Sequence, residues 1–160
     1  MKKNQIKKVL IAVDYSPTSQ KVAESGFSIA KAMEAEVILL HVISNPVYYS
    51  SIEYSPIMGF EGYTMSDPLQ FDSKEGIIKA SLQFLESTKK HLGGENIQTM
   101  VVEGDFAISI LNAAKKVHAD IIVMGSHSRK WLENILMGSV TEEVLRDTKI
   151  PLFLIPTKKQ

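Results

Sequence analysis

Residues 120–141 read DIIVMGSHSRKWLENILMGSVT, and the parsing of this stretch decides the fold. Ile121 to Met124 is an apolar run of the length and character of a strand covered on both faces. It stops at Gly125. Ser126 to Lys130 is a polar, basic loop, after which Trp131, Leu132, Ile135 and Leu136 mark a short amphipathic turn. Gly138-Ser139 then opens a helix that runs to Asp147. Two glycine-containing turns, the second at a helix N-terminus, leave backbone N–H groups free at the positive end of the helix dipole with no side chain in the way. That arrangement suits an anion and predicts a phosphate cradle, hence a nucleotide site.

The same strand–turn–helix unit recurs outward from this stretch. Residues 8–13, KVLIAV, form a continuous apolar strand, broken by Asp14. Ser16 is the expected N-cap of the next helix, with Pro17 in its first position. Val22, Gly26, Phe27, Ala30 and Met33 recur there at helical spacing. Residues 37–42, VILLHV, are a second strand. Ile77, Ile78, Leu82 and Leu85 mark the core stripe of another helix, ended at Gly93-Gly94, where glycine suits a left-handed cap. Residues 97–102, IQTMVV, alternate in part, as at a sheet edge. Asp105 is placed to cap a helix whose expected core face is Ile108, Leu111, Ala114 and Val117. Pro151 to Pro156, PLFLIP, is the last strand.

Five alternations of strand and helix specify α/β architecture with a doubly wound five-stranded parallel sheet and helices on both faces. Ligands of such sheets sit beyond the strands' carboxyl ends, where strand order reverses. With strand one central, the crevice falls between strands one and four, and Asp14 and Gly125 stand at their ends. Strand five then lies at an edge although it is apolar on both faces. Such an edge is usually covered, which predicts a homodimer formed through residues 151–156.

Composition narrows the class. A chain of 160 residues, 44% apolar and 22% charged, reads as one globular domain over residues 1–160. Its zero net charge argues against general nucleic-acid or membrane-surface binding. Without cysteine there is no disulfide, thiol nucleophile or thiolate metal site. The apolar run behind the lysine-rich start ends at Asp14, too short for a signal peptide, and no stretch reaches membrane-span length; a cytoplasmic protein is expected. Ser44 to Ser73 is long for a connection, and it holds Tyr48, Tyr49, Tyr54, Tyr63 and Phe60. Its aromatic content points to an interface or lid, with disorder as the alternative.

The run Gly125-Ser126-His127-Ser128, nine residues, then Gly138-Ser139-Val140-Thr141, closely resembles the universal stress protein family, as does the start Val9 to Asp14 followed by Ser16. The resemblance spans Lys7 to Pro156. It implies a Rossmann-like fold with strand order 3-2-1-4-5, related to the adenine nucleotide alpha hydrolases, and dimerisation through strand five. In one branch it also implies ATP binding without a well-defined reaction. By that resemblance Asp14 meets the ribose or adenine, and the backbone at Val42 and Met124 lines the base; read on its own chemistry, the Asp14 carboxylate could approach a Mg²⁺ ion. Gly125, Ser128, Gly138, Ser139 and Val140 hold the phosphates. The branch's motif has glycine, two residues, glycine, nine residues, glycine, then serine or threonine. Ser128 departs from it at the second glycine. A positive φ there would cost serine on the order of 1 kcal/mol relative to glycine, and its Cβ could crowd a phosphate; its N–H survives, and the hydroxyl adds a donor.

Each of these residues also has a plainer reading. Arg129 and Lys130 can neutralise phosphate from the rim or simply be a solvated loop. Ser139 to Glu142 has the pattern of a capping box that needs no ligand. Asp14 alone would serve as a turn residue bonding nearby backbone. The four histidines have no zinc spacing, and Walker A, G-x-G-x-x-G and G-x-S-x-G patterns are absent. With no convincing base to position a water and no dedicated metal ligand, any ATP hydrolysis is expected to be slow. The competing reading is an interaction and dimerisation module of the same fold without nucleotide. A phosphorylatable receiver domain is set aside: Asp14 stands alone, and Lys149 precedes strand five instead of following it.

Overall fold

The computed structural model describes residues 5–44, 73–126 and 137–157. Its elements are β1 (Lys8–Ala12), α1 (Ser19–Ala32), β2 (Glu36–Ile43), α2 (Lys74–Leu92), β3 (Ile97–Glu103), α3 (Phe106–Lys116), β4 (Ile121–Gly125), α4 (Ser139–Asp147) and β5 (Leu152–Ile155). The strands form a five-stranded sheet in the order β3-β2-β1-β4-β5, every pair parallel. The architecture is the doubly wound one expected from the alternation, with the order reversing between β1 and β4.

Strand periodicity distributes the core to both faces. Val9, Ile11, Val37 and Leu39 pack with Val22 and Ala30 of α1 and with Ile77, Phe84 and Leu85 of α2. Leu10, Ile38, Leu40 and Ile122 pack on the other side with Ala107, Ile110 and Ala114 of α3 and Val144 of α4. Helix α1 comes so near the sheet at Gly26 that a Cβ there would stand 2.7 Å from Ile11 Cδ1. At its start β4 is tied to β1 by Asp120, whose Oδ2 accepts the Lys7 and Lys8 amides at 2.8 and 3.0 Å.

Several local expectations hold and others are corrected. Gly93 is the left-handed cap of α2 at φ 70, and the Asp105 carboxylate accepts the Ile108 amide at the start of α3. Helix α1, however, begins at Ser19 with Thr18 as its N-cap, so Ser16 and Pro17 belong to the preceding turn. Asp14 Oδ1 accepts the Ser16 amide at 2.9 Å and Ser16 O accepts the Ser19 amide at 3.1 Å, which lengthens that turn before the helix starts. On α3 the core stripe is Ala107, Ile110, Ala113 and Ala114, and Ile108 is 57% exposed. On α2 Leu82 is exposed, while Ala80, Ser81, Phe84 and Thr88 are buried beside the expected Ile77 and Leu85. On α3 the small residues sit closest to the sheet, so its largest apolar side chains did not by themselves mark the buried stripe. The tyrosine-rich stretch Tyr48 to Tyr63, expected to be an interface or lid, lies outside the described residues, as does the short turn of Trp131 to Leu136.

Candidate functional site

The carboxyl ends of β1, β2 and β4 open into a cleft, at the place where open parallel sheets take their ligands. Continuing the register in which Ile11 pairs with Val123 brings Val13 level with Gly125, so Asp14 leaves β1 beside the turn that ends β4. Among the expected site residues, Asp14, Val42, Met124, Gly125 and Val140 line the cleft. Its apolar walls come from both faces of the sheet: Val13 and Val22 on the α1 side, Leu40 and Ile110 on the α3 side.

The β4–α4 junction is held shut at its base. Gly138 donates its amide to Ser126 O at 2.7 Å, Ser126 donates its own to Ile155 O at 3.0 Å, and Thr141 Oγ1 donates to Gly125 O at 2.9 Å. These bonds set the N-terminus of α4 beside the end of β4. Gly138, not Ser139, is the N-cap of α4, and it makes no side-chain cap bond. The capping box expected from Ser139 to Glu142 is therefore not formed; Ser139 is already helical, and the Glu142 amide makes the ordinary helical bond to Gly138 O at 2.9 Å. The helix start thus presents the Ser139, Val140 and Thr141 amides, which have no acceptor within the helix. Gly138 has φ −68 and ψ 155, a conformation open to any residue, so its own amide and backbone do not demand glycine. What glycine provides there is the absence of a side chain. Ser128 and Arg129 lie outside the described residues.

On the opposite wall the turn after β1 is pinned from beneath. His41 Nδ1 lies 3.0 Å from Val13 O; a carbonyl only accepts, so Nδ1 carries the proton. Burial pushes the His41 imidazole down to about 4, the bond to Val13 opposing, and the ring is neutral at pH 7. The Tyr15 ring lies 4.5 Å from that of His41 and 5.1 Å from that of Phe84. Ser81 Oγ donates to Ile77 O, so Tyr15 donates its hydroxyl to Ser81 Oγ at 2.8 Å. Asp14 is thereby carried on a turn anchored to β2 and α2. Among the described residues no group of three or more histidine, aspartate or glutamate side chains is placed to hold a metal ion.

Several residues that line the cleft escaped the sequence reading as site residues, Ser19, Phe106, Ile110 and Thr141 among them. Thr141 stood within the quoted motif, and its role needed the partner carbonyl of Gly125 to be visible. The others carried no motif signal; a serine near a helix start reads as a cap, and apolar residues on α3 read as core.

The chain is thus a doubly wound α/β protein with its cleft at the reversal of strand order, the place where ligands of open parallel sheets sit. The chain belongs to the universal stress protein family, whose pattern it matches over residues 5–156. It is 32% identical to universal stress protein MJ0531 of Methanocaldococcus jannaschii over 161 residues, covering 98% of this chain and 86% of that protein. It is 31% identical to universal stress protein MJ0577 of the same organism over 156 residues, covering 95% and 96% of the two. The solved structure of MJ0577 superposes with a TM-score of 0.71, covering 98% of this chain and 99% of that one at 28% identity. A universal stress protein solved in complex with cAMP shares the fold with a TM-score of 0.64 at 20% identity, covering 97% and 100%.

Proposed function

We propose that this chain is a regulatory or stress-protection module that binds ATP or a related adenine nucleotide in the cleft, as a cytoplasmic homodimer, with no hydrolysis or only slow hydrolysis. One observation carries the reading: Val140 and Thr141, in the first turn of α4, line the same cleft as Asp14 and Gly125, and the helix start has no side-chain cap bond among the described residues. Phosphate oxygens suit the Ser139 and Val140 amides and the positive end of the α4 dipole. The apolar walls at Val13, Leu40, Val42 and Met124 suit a base. A family neighbour that holds cAMP is consistent with an adenine ligand. Asp14 is the cleft carboxylate suited to the ribose, or to a Mg²⁺ ion carried in by the phosphates. Ser128 and Arg129 belong to the proposed phosphate rim.

Dimerisation follows from β5. This strand is at the sheet edge, its Phe153 is 41% exposed, and Leu152 and Leu154 are half-buried; pairing with a second copy would cover it.

The test is the melting temperature with ATP, ADP, AMP and no ligand, for wild type and for Ser128→Gly. Ligand at about a hundred times its Kd adds roughly 2.7 kcal/mol, a rise of roughly 5–10 °C for a chain of this size. A response by Ser128→Gly alone assigns the wild type to the interaction-module reading, with the serine closing the site. Indifference of both variants to every nucleotide overturns the proposal.

A further inference from the structure

His41 occupies a place in β2 where an aliphatic side chain would be expected. Val37, Ile38, Leu39, Leu40, Val42 and Ile43 along the same strand are all buried, and His41 itself is 1% exposed. An imidazole there gives up its hydration, and its Nε2 is closed off with no hydrogen-bond partner among the described residues. Both cost stability that a leucine would keep. What the ring contributes in return is one bond, at the point where β1 leaves β2. The β1–β2 ladder ends at the pair Ala12 and Leu40, and the Val13 amide follows it with a bond to Leu40 O at 2.9 Å. The Val13 carbonyl is then met by a side chain, with His41 Nδ1 donating to it at 3.0 Å.

That carbonyl belongs to the peptide that leads into Asp14. A trans peptide is planar, so holding Val13 O fixes the plane from which the Asp14 Cα departs. The residue on the other side of Asp14 meets the same ring: Tyr15 and His41 have their centroids 4.5 Å apart. Asp14 is thus braced by His41 from before and after, while its own Oδ1 accepts the Ser16 amide at 2.9 Å. Asp14 lines the cleft. Hydrogen bonds weaken steeply as their geometry drifts, and a carboxylate fixed in advance spends less of its binding free energy on being ordered. Resting on the nucleotide reading above, we infer that His41 is a positioning residue for ligand binding, acting through Asp14 by fixing the Val13–Asp14 peptide at the wall of the cleft.

The test is a double-mutant cycle read by calorimetric titration with ATP, with thermal unfolding to establish that each variant is folded. His41→Phe keeps a ring beside Tyr15 and Phe84 and removes the donor; His41→Asn removes the ring and keeps a donor at the same distance from Cβ. Each is made with Asp14 intact and with Asp14→Ala. His41→Phe weakens ATP binding about 3- to 10-fold, the range of one hydrogen bond, whereas His41→Asn stays within about twofold of wild type. On Asp14→Ala, His41→Phe costs less than about twofold further, because the two residues act as one unit. Equal losses on both backgrounds make His41 a general support of the fold and overturn the inference. So does an Asn variant as weak as the Phe variant, or an Asp14→Ala protein that binds ATP as wild type does; in each case the nucleotide reading stands. If wild type binds no nucleotide, both fall together. Should His41→Phe fail to fold, His41→Leu, which needs less room, completes the cycle.

Discussion

Thr141 Oγ1 donates a 2.9 Å hydrogen bond to Gly125 O, joining the first turn of α4 to the last residue of β4. Together with the Gly138 amide on Ser126 O at 2.7 Å, it fixes the helix start at the mouth of the cleft. These bonds add to the packing of Val140 and Val144 in one cluster with Ile122 and Met124 of β4.

Thr141→Val keeps the shape of the side chain and removes that bond. Thr141 is buried, so the Gly125 carbonyl loses a partner it cannot easily replace with water. The expected loss of stability is about 1–2 kcal/mol, read from urea unfolding at pH 7. An unchanged midpoint and slope would mean that the Gly125 carbonyl is served equally well without the threonine.

His41 predicts an acid weakness. Its pKa is about 4 in the folded protein against 6.5 when free, so below pH 6.5 the unfolded chain binds the proton that the folded chain refuses. The stabilisation is complete above pH 6.5 and is lost as pH falls toward 4, on the order of 3 kcal/mol in all. Unfolding free energies at pH 7, 5.5 and 4.5 should show this decline, and a His41→Gln variant should show a shallower one. Parallel profiles for the two proteins would exclude His41 as its source.

The corrected phase of α3 is tested by two neighbouring isoleucines. Ile110 is 4% exposed and packed against the sheet, whereas Ile108 is 57% exposed. Ile110→Ala should cost about 2–5 kcal/mol, and Ile108→Ala no more than about 0.5 kcal/mol. Equal losses in chemical denaturation would contradict the observed face.

Phe153 on the β5 edge tests the dimer. Light scattering of wild type should give twice the chain mass, and Phe153→Lys, which puts a charge on the exposed edge, should give the monomer mass at the same concentration. A wild type that is monomeric at both high and low concentration removes strand pairing from the proposal.

How far the sequence reaches is visible in particular residues. The run of residues 121–124 read as a buried strand because a parallel strand covered on both faces must be apolar throughout, and β4 is that strand. Asp105 and Gly93 read as caps because their chemistry is local: one carboxylate within reach of an amide three residues on, one glycine free to take a positive φ. Helix phase was less legible. On α3 two stripes a residue apart are both apolar, and the structure buries the one with the small side chains Ala107, Ala113 and Ala114 because they let the helix approach the sheet.

By itself, then, the sequence determined the alternation of elements, the parallel sheet and the stretch between Gly125 and Thr141 at which a ligand site was expected, because hydrophobic periodicity and turn chemistry are properties of neighbours along the chain. Only the tertiary structure decided that Gly138 caps α4 in place of Ser139, that Thr141 reaches Gly125, and that the Ser19 hydroxyl lies buried without a partner beside the cleft. Those facts depend on which groups far apart in sequence are brought within hydrogen-bond reach, and on which are shut away from water when they meet.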